Sequence, residues 1–267
     1  MDSDDVASTV LNHLTLTQTV RLLVSFTVLA VLLPAMLSLW HDYLAFLSLG
    51  PGGTPSTFPG FLRIKLLGYF ALHNPYEPAP SPRRLAGVAG HLHAPLPKRL
   101  SPRPCTRGIA PHRQITQKAT RADFARLSAG LEALAAGSGS AWEVGTSCFE
   151  KHGMGLFSKS PAPLRRRCGR EICHAHPSDG SMHMTLHPAD VRAVLEAGWG
   201  ERHPIARGGW FERFVPGGFV MVYAPRDQEE VETVLEIVRA AAWFVGGGGD
   251  GSAEQGGDKG GVGRKGG

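Results

Sequence analysis

The chain has 267 residues, a formal net charge of +5 and 42% hydrophobic residues. That is enough for one sizeable core or two small ones, and it excludes a small disulfide-stapled scaffold. Cys105, Cys148, Cys168 and Cys173 form no CxxC pair and no structural zinc spacing, so they read as mostly free thiols of a reducing compartment.

In chain order, residues 1–21 form a polar leader containing Asp2, Asp4 and Asp5. Residues 22–40, LLVSFTVLAVLLPAMLSLW, carry no charge. As a helix they would span about 28 Å, close to the hydrocarbon thickness of a bilayer. The acidic leader argues against a cleaved signal. A retained single-pass anchor is expected, with Trp40 and Tyr43 at the interface. Residues 61–121 hold eleven Lys or Arg and one acid, Glu77. Such a run suits an anionic membrane surface, places the C-terminal part on the cytoplasmic side of an endomembrane, and has too few aromatics for nucleic acid. FLRIKLLGYF, residues 61–70, could lie on a membrane as an amphipathic helix or pack on the domain.

Residues 41–111 read as a basic, Pro-rich connector, and 74–111 as an extended wrap or linker without regular elements. The folded domain is expected at 112–245. It opens with a helix over 120–137, followed by one or two strands in AWEVGTSCFEKHGMGLFS. EICHAH and SMHMTLH then pair as a hairpin around PSDGS. PADVRAVLEAG is a short helix, with Pro188 in its first turn and Gly198 after its end. GFVMVYAP is a buried strand. The last helix starts at Asp227 and shows Val231, Val234, Leu235 and Val238 on one face. Residues 246–267 read as a disordered Gly-rich tail. This order predicts an α+β fold: a small antiparallel or mixed sheet with helices on one side, preceded by one transmembrane helix.

No GxGxxG, Walker A, GxSxG or HExxH motif occurs. Chemistry concentrates in EICHAHPSDGSMHMTLH. Period-two alternation puts His174 and His176 on one face, and His183, Thr185 and His187 on one face of the next strand. Neutral histidines suit proton abstraction near pH 7. The same three, His174, His176 and His183, could instead hold a metal, which is the less favoured reading. Cupin oxygenases follow HxH with a glutamate, whereas Glu171 precedes it here. GWGERHP offers Arg202 and His203 as anion stabilisers and Trp199 as a stacking wall, or simply a helix-end turn with Trp199 in the core. VYAPRD offers Tyr223 and Arg226, or a sheet-end tyrosine and a surface arginine.

Together these motifs resemble the fungal luciferase family. The resemblance runs through Glu171-Ile172-x-His174-x-His176, His183-x-x-Leu186, Gly198-Trp199-Gly200-x-Arg202-His203-Pro204 and Tyr223-Ala224-Pro225-Arg226. Upstream it includes Asp42-Tyr43-x-x-Phe46, Gly50-Pro51, Phe58-x-Gly60 and Thr146-Ser147-x-Phe149-Glu150-x-His152. The chain departs from the luminous pattern at His187-Pro188, from Arg207 to Pro216, and inside 150–157, which bears on substrate identity more than on fold.

Known family members act on 3-hydroxyhispidin. The resemblance implies oxygenase chemistry with O₂ as co-substrate and no organic cofactor. A base deprotonates an enolisable α-pyrone, the carbanion meets O₂, and a cyclic peroxide loses CO₂. On chemical grounds His174, His176 and His183 are the base candidates, and Arg202 and His203 the anion stabilisers. Trp199, Tyr223, Arg226, His187 and His152 are the substrate-binding candidates. Two rivals stand beside this reading: a metal-dependent oxygenase or hydrolase using the histidines, and a non-enzymatic binder of a lipophilic ligand or an anionic membrane.

Overall fold

In a computed structural model of the chain, residues 3–78, 81–139, 141–160 and 168–248 are described. They fall into two units, Met1–Ser48 and Leu49–Gly267. The first is one helix, α1 (Ser3–Ser48), with Pro34 inside it. Its stretch Thr15–Ser48 is long and apolar enough to cross a membrane. The Thr27 hydroxyl donates to the Leu23 carbonyl at 2.8 Å, so this polar group is satisfied within the helix.

The second unit begins with α2 (Phe58–Gly68), capped by the Thr57 side chain on Gly60 N–H. A two-stranded hairpin follows, β1 (Thr106–Gly108) with β2 (His112–Gln114). Then come α3 (Arg121–Gly137), β3 (Trp142–Thr146), β4 (Met154–Ser158), β5 (Glu171–Ala175), β6 (Met182–Thr185), α4 (Pro188–Ala197), β7 (Gly200–Arg202), β8 (Phe219–Val222) and α5 (Gln228–Val245). Strands β3 to β8 form one sheet in the order β3-β4-β5-β6-β8-β7, antiparallel at every pairing. The fold is the α+β arrangement expected. Of the tail read as disordered, residues 249–267 lie outside the described residues.

Alternation sorts the two faces of the sheet. Leu156, Met182, Met184, Val220 and Val222 face a core that α3, α4 and α5 complete with Leu127, Leu131, Val194, Val234, Ile237 and Val238. The α5 stripe follows from its apolar spacing, and Asp227 caps it through Glu230 N–H at 2.9 Å. The opposite face carries His174, His183, Met221 and Glu201. His174 sits across from His183, His183 across from Met221, and Met221 across from Glu201. The β1–β2 hairpin covers this polar face and brings His112 onto it.

The Pro-rich segment is a wrap rather than a free connector, and it does hold regular elements: a 3₁₀ turn at Arg83–Leu85 and strand β1. Two of its cations are bound to backbone carbonyls of the fold. Lys98 donates to the Glu196 carbonyl at 2.7 Å, and Arg103 to those of Leu195 at 2.6 Å and Gly200 at 2.7 Å. The Leu195 and Glu196 carbonyls belong to the last turn of α4, where positive charge is favoured. At the other end of α4 the Asp190 carboxylate accepts from the N–H groups of His91 and Leu92.

Gly198 ends α4 at φ 85°, a left-handed conformation that an L side chain resists. An added Cβ would meet only Arg99 atoms at 3.6 and 3.8 Å, which is ordinary contact. Gly198→Ala is therefore expected to cost about 1–2 kcal/mol through the backbone alone. Chemical unfolding of the full chain in detergent checks this, and an unmoved midpoint contradicts it.

Candidate active site

The site starts from an irregularity in β5. Leu156 pairs with Cys173 and the next residue, Phe157, pairs with Glu171, so Ile172 is an extra residue bulged out of register. Simple alternation would send Glu171 and His174 to opposite faces. The bulge returns Glu171 to the histidine face, where its Oε1 lies 2.6 Å from His174 Nδ1. The same carboxylate accepts from the Ser147 hydroxyl at 2.9 Å and from Cys148 N–H and Phe149 N–H at 2.6 and 3.3 Å. With that many donors on it, Glu171 is an acceptor, and His174 carries its proton on Nδ1. The His174 Nε2 lone pair is left buried with no hydrogen-bond partner.

A second series of groups crosses the face. Asp179 accepts from the Ser181 hydroxyl at 2.5 Å, and Ser181 Oγ lies 2.9 Å from His176 Nδ1. His176 Nε2 is 3.1 Å from His183 Nδ1, and His183 Nε2 is 3.2 Å from His112 Nδ1. His112 Nε2 reaches Glu201 Oε1 at 3.2 Å, while Thr106 and Tyr223 donate to the same carboxylate at 2.7 and 2.9 Å. Burial, reinforced by nearby positive groups such as Arg113, holds His176 well below its ordinary pKa. His183 is shifted the same way by burial and by the surrounding imidazoles. Burial pushes the Glu201 carboxyl up, but its hydrogen bonds from His112, Thr106 and Tyr223 prevail and hold it low.

A cavity of about 450 Å³ opens against this face. His112, His174, His183, His203 and Glu150 stand in its lining beside Phe149, Phe214 and Phe219, with Arg63, Lys151 and Arg213 also present. Phe219 stacks on His183, with the rings 13° from parallel and 5.1 Å apart. The cavity thus joins a polar inner wall to aromatic sides, the arrangement common to small-molecule sites.

Comparison with known proteins now bears on this geometry. A luciferase-domain family model matches residues 169–241, from just before β5 into α5. A luciferase of Neonothopanus nambi is 30% identical over 226 residues, covering 77% of this chain and 80% of that protein. Luciferases of Armillaria ostoyae and Armillaria mellea are each 31% identical over 227 residues, with the same coverage. The chain belongs to the luciferase family. No solved structure matches it.

In this luciferase-family domain the sequence candidates separate into two groups. His174, His176 and His183 converge, with His203 packed beside them. Both ring nitrogens of His203 are taken by backbone, Nε2 on the Ile109 carbonyl at 2.8 Å and Nδ1 accepting Ile205 N–H at 3.3 Å. That occupancy removes it as a free anion stabiliser. Arg202 lies outside the cavity lining. Its guanidinium donates from its two terminal nitrogens to the carbonyls of Glu77 and Ala206, and its Nε is buried without a partner. Trp199 is buried in the helix-side core, with Nε1 donating to the Pro97 carbonyl at 2.6 Å. Tyr223 points its hydroxyl at Glu201 and is not a cavity wall. Arg226 pairs with Glu230 and Ser101. His187 leaves the sheet to cap α4 through Ala189 N–H. His152 stays half-exposed on the Glu150 carbonyl.

Sequence reading missed His112, Glu150, Glu201 and the Asp179–Ser181 pair. Glu150, Glu201 and the Asp179–Ser181 pair lay in stretches already singled out, but nothing local pointed them at the histidines. The expectation of mostly free thiols also needs correction. Cys148 and Cys168 form a disulfide, with Cα atoms 5.6 Å apart, beside the Cys148 N–H that holds Glu171. Cys105 and Cys173 are free. The inference of a reducing compartment loses its basis with that pair.

Among the described residues, two groups of donors could hold a metal ion: Glu150 with His174, His176 and His183, and His112 with His183 and His203. The second needs a nitrogen of His203, and both are engaged. In the first, Glu150 Oε1 lies 3.9 Å from His174 Nε2 and 3.8 Å from His176 Nε2.

Proposed function

We propose that this luciferase-family chain is a membrane-anchored oxygenase acting on a flat, enolisable, apolar small molecule of the α-pyrone type. O₂ is co-substrate and there is no organic cofactor. One observation carries the reading: a buried histidine nitrogen, His174 Nε2, lies without a hydrogen-bond partner at the inner wall of a cavity whose sides are aromatic. An enolisable substrate needs a group that accepts or replaces its acidic proton, and the face around His174 supplies one. The developing anion needs nearby positive charge, and Arg63 and Arg213 in the lining supply it. Phe149, Phe214 and Phe219 suit a planar ring and exclude water.

Anchoring is supported by the apolar stretch Thr15–Ser48 and by α2, which exposes Phe58, Leu62 and Leu66 beside Arg63 and Lys65. Arg63 and Leu67 of α2 also line the cavity, so a lipophilic substrate would enter past an apolar helix.

The test is the full chain in detergent, incubated with 3-hydroxyhispidin in air while oxygen uptake and photons are followed together. Oxygen uptake with CO₂ release is expected, and light reports whether the product leaves excited. A folded chain that consumes no oxygen with this or any related pyrone would refute the reading.

A further inference from the structure

The histidine face contains more acceptors than protons. Contacts run from Asp179 through Ser181, His176, His183 and His112 to Glu201, and each of the five needs one proton. The serine hydroxyl and three neutral imidazoles bring four. Both ends are anchored on carboxylates, which only accept. Filling inward from Asp179 puts the His176 proton on Nδ1 and leaves Nε2 bare. Filling inward from Glu201 puts the His112 proton on Nε2 and the His183 proton on its own Nε2, which leaves His183 Nδ1 bare. The two bare nitrogens face each other at 3.1 Å.

A third lone pair points at the same place. His174 donates Nδ1–H to Glu171, so its Nε2 is also bare, and it is buried with no partner. Glu150 adds a carboxylate oxygen, Oε1, which accepts only a long 3.3 Å bond from Arg113, while Arg113 holds the other oxygen at 2.5 Å. One extra proton could bridge one pair of nitrogens and would leave the third lone pair unsatisfied. A single cation satisfies all of them. We infer that Glu150, His174, His176 and His183 bind one divalent first-row transition-metal ion at the inner wall of the cavity.

The donor atoms lie within 4.8 Å of one another. An ion about 2.1 Å from each donor needs them about 3.0 to 3.5 Å apart, so the observed 3.1, 3.8 and 3.9 Å close with small side-chain movements. With the ion in place every imidazole is neutral and every outward contact has its proton. His174 donates to Glu171. His176 donates through Ser181 to Asp179. His183 donates through His112 to Glu201. Carboxylates placed behind ligating histidines are the outer support that metal sites require. Four buried carboxylates, Glu150, Glu171, Asp179 and Glu201, also exceed the charge that the adjacent Arg113 cancels, which favours a cation. Three imidazoles and one carboxylate suit zinc, iron, nickel or copper.

This site shares the His174 nitrogen with the reaction proposed above, but its test does not depend on turnover. The test uses the full chain, purified in detergent without a polyhistidine tag, stripped with a chelator, and titrated with Co²⁺. One ion per chain is expected, with visible d–d absorption and imidazole scattering at the cobalt edge. Glu171→Gln should weaken binding about 10- to 100-fold, and His176→Gln with His183→Gln should abolish it. A stripped, folded chain that binds neither Co²⁺, Zn²⁺ nor Fe²⁺ would overturn the inference. So would binding that survives the double substitution, or an edge spectrum without imidazole, which needs no variant to fold. An ion bound with no turnover of the pyrone would sustain this site and count against the reaction.

Discussion

Glu171→Gln is expected to leave the chain folded and to lower turnover of the pyrone about 10³- to 10⁴-fold, the scale seen when an imidazole is held in the wrong tautomer. The carboxylate now accepts from Ser147, Cys148 N–H, Phe149 N–H and His174. A glutamine can turn its carbonyl to the two backbone N–H groups and its amide to the Ser147 oxygen. The fold then loses about 1.5–3 kcal/mol, the worth of a hydrogen bond to a charged group. At His174, however, an amide N–H replaces an acceptor. The ring must flip its proton from Nδ1 to Nε2, and the lone pair facing the cavity disappears. That consequence holds whether Nε2 acts as a base or ligates an ion. Steady-state oxygen uptake reads the turnover, and imidazole ¹⁵N shifts read the tautomer. Activity within a few-fold of the unsubstituted chain, with the tautomer shown to have flipped, would remove His174 from the mechanism.

The same residue shows where sequence reading stops. Period-two alternation brought His174, His176 and His183 together correctly, because each lies in a run that alternates and the Asp-Gly turn is local. The same alternation, carried back to Glu171, would put it on the wrong face, because one bulged residue, Ile172, inverts the alternation behind it. No signal within EICHAH marks that bulge; it arises where β5 meets β4. Helices α3, α4 and α5 were legible from their caps and apolar spacing. Strands β1, β2 and β7 were not, since three residues carry no period. His112 is 71 residues from His183, and Tyr223 is 22 from Glu201. Such contacts follow from sheet order and from the wrap, which depend on the whole chain. GWGERHP was read as chemistry because Arg and His are reactive types. The structure spends them on carbonyls at Glu77, Ala206 and Ile109, where a tight turn and a short strand leave backbone acceptors.

Arg113 carries the other large expected effect, and it concerns stability. Its guanidinium donates to both oxygens of Glu150, at 3.3 and 2.5 Å, to the Pro51 carbonyl at 2.7 Å and to the His112 carbonyl at 3.2 Å. One side chain therefore ties the start of the second unit, the β1–β2 hairpin and the β3–β4 loop around a buried carboxylate. Arg113→Met keeps the aliphatic bulk but strands Glu150, and breaking a buried pair in this way costs about 3–5 kcal/mol. Removing the stranded charge should recover much of that cost, so Arg113→Met with Glu150→Gln should be more stable than Arg113→Met alone. Denaturant unfolding of the single and double variants measures the coupling. A loss below about 1 kcal/mol for Arg113→Met, the range of an exposed pair, would show that solvent reaches Glu150. The carboxylate could then turn outward to water, and neither the base nor the cation reading could rely on its position. A large loss with strong recovery would instead mean that the fold holds Glu150 against the histidines at a cost, which is the behaviour of a group kept for chemistry.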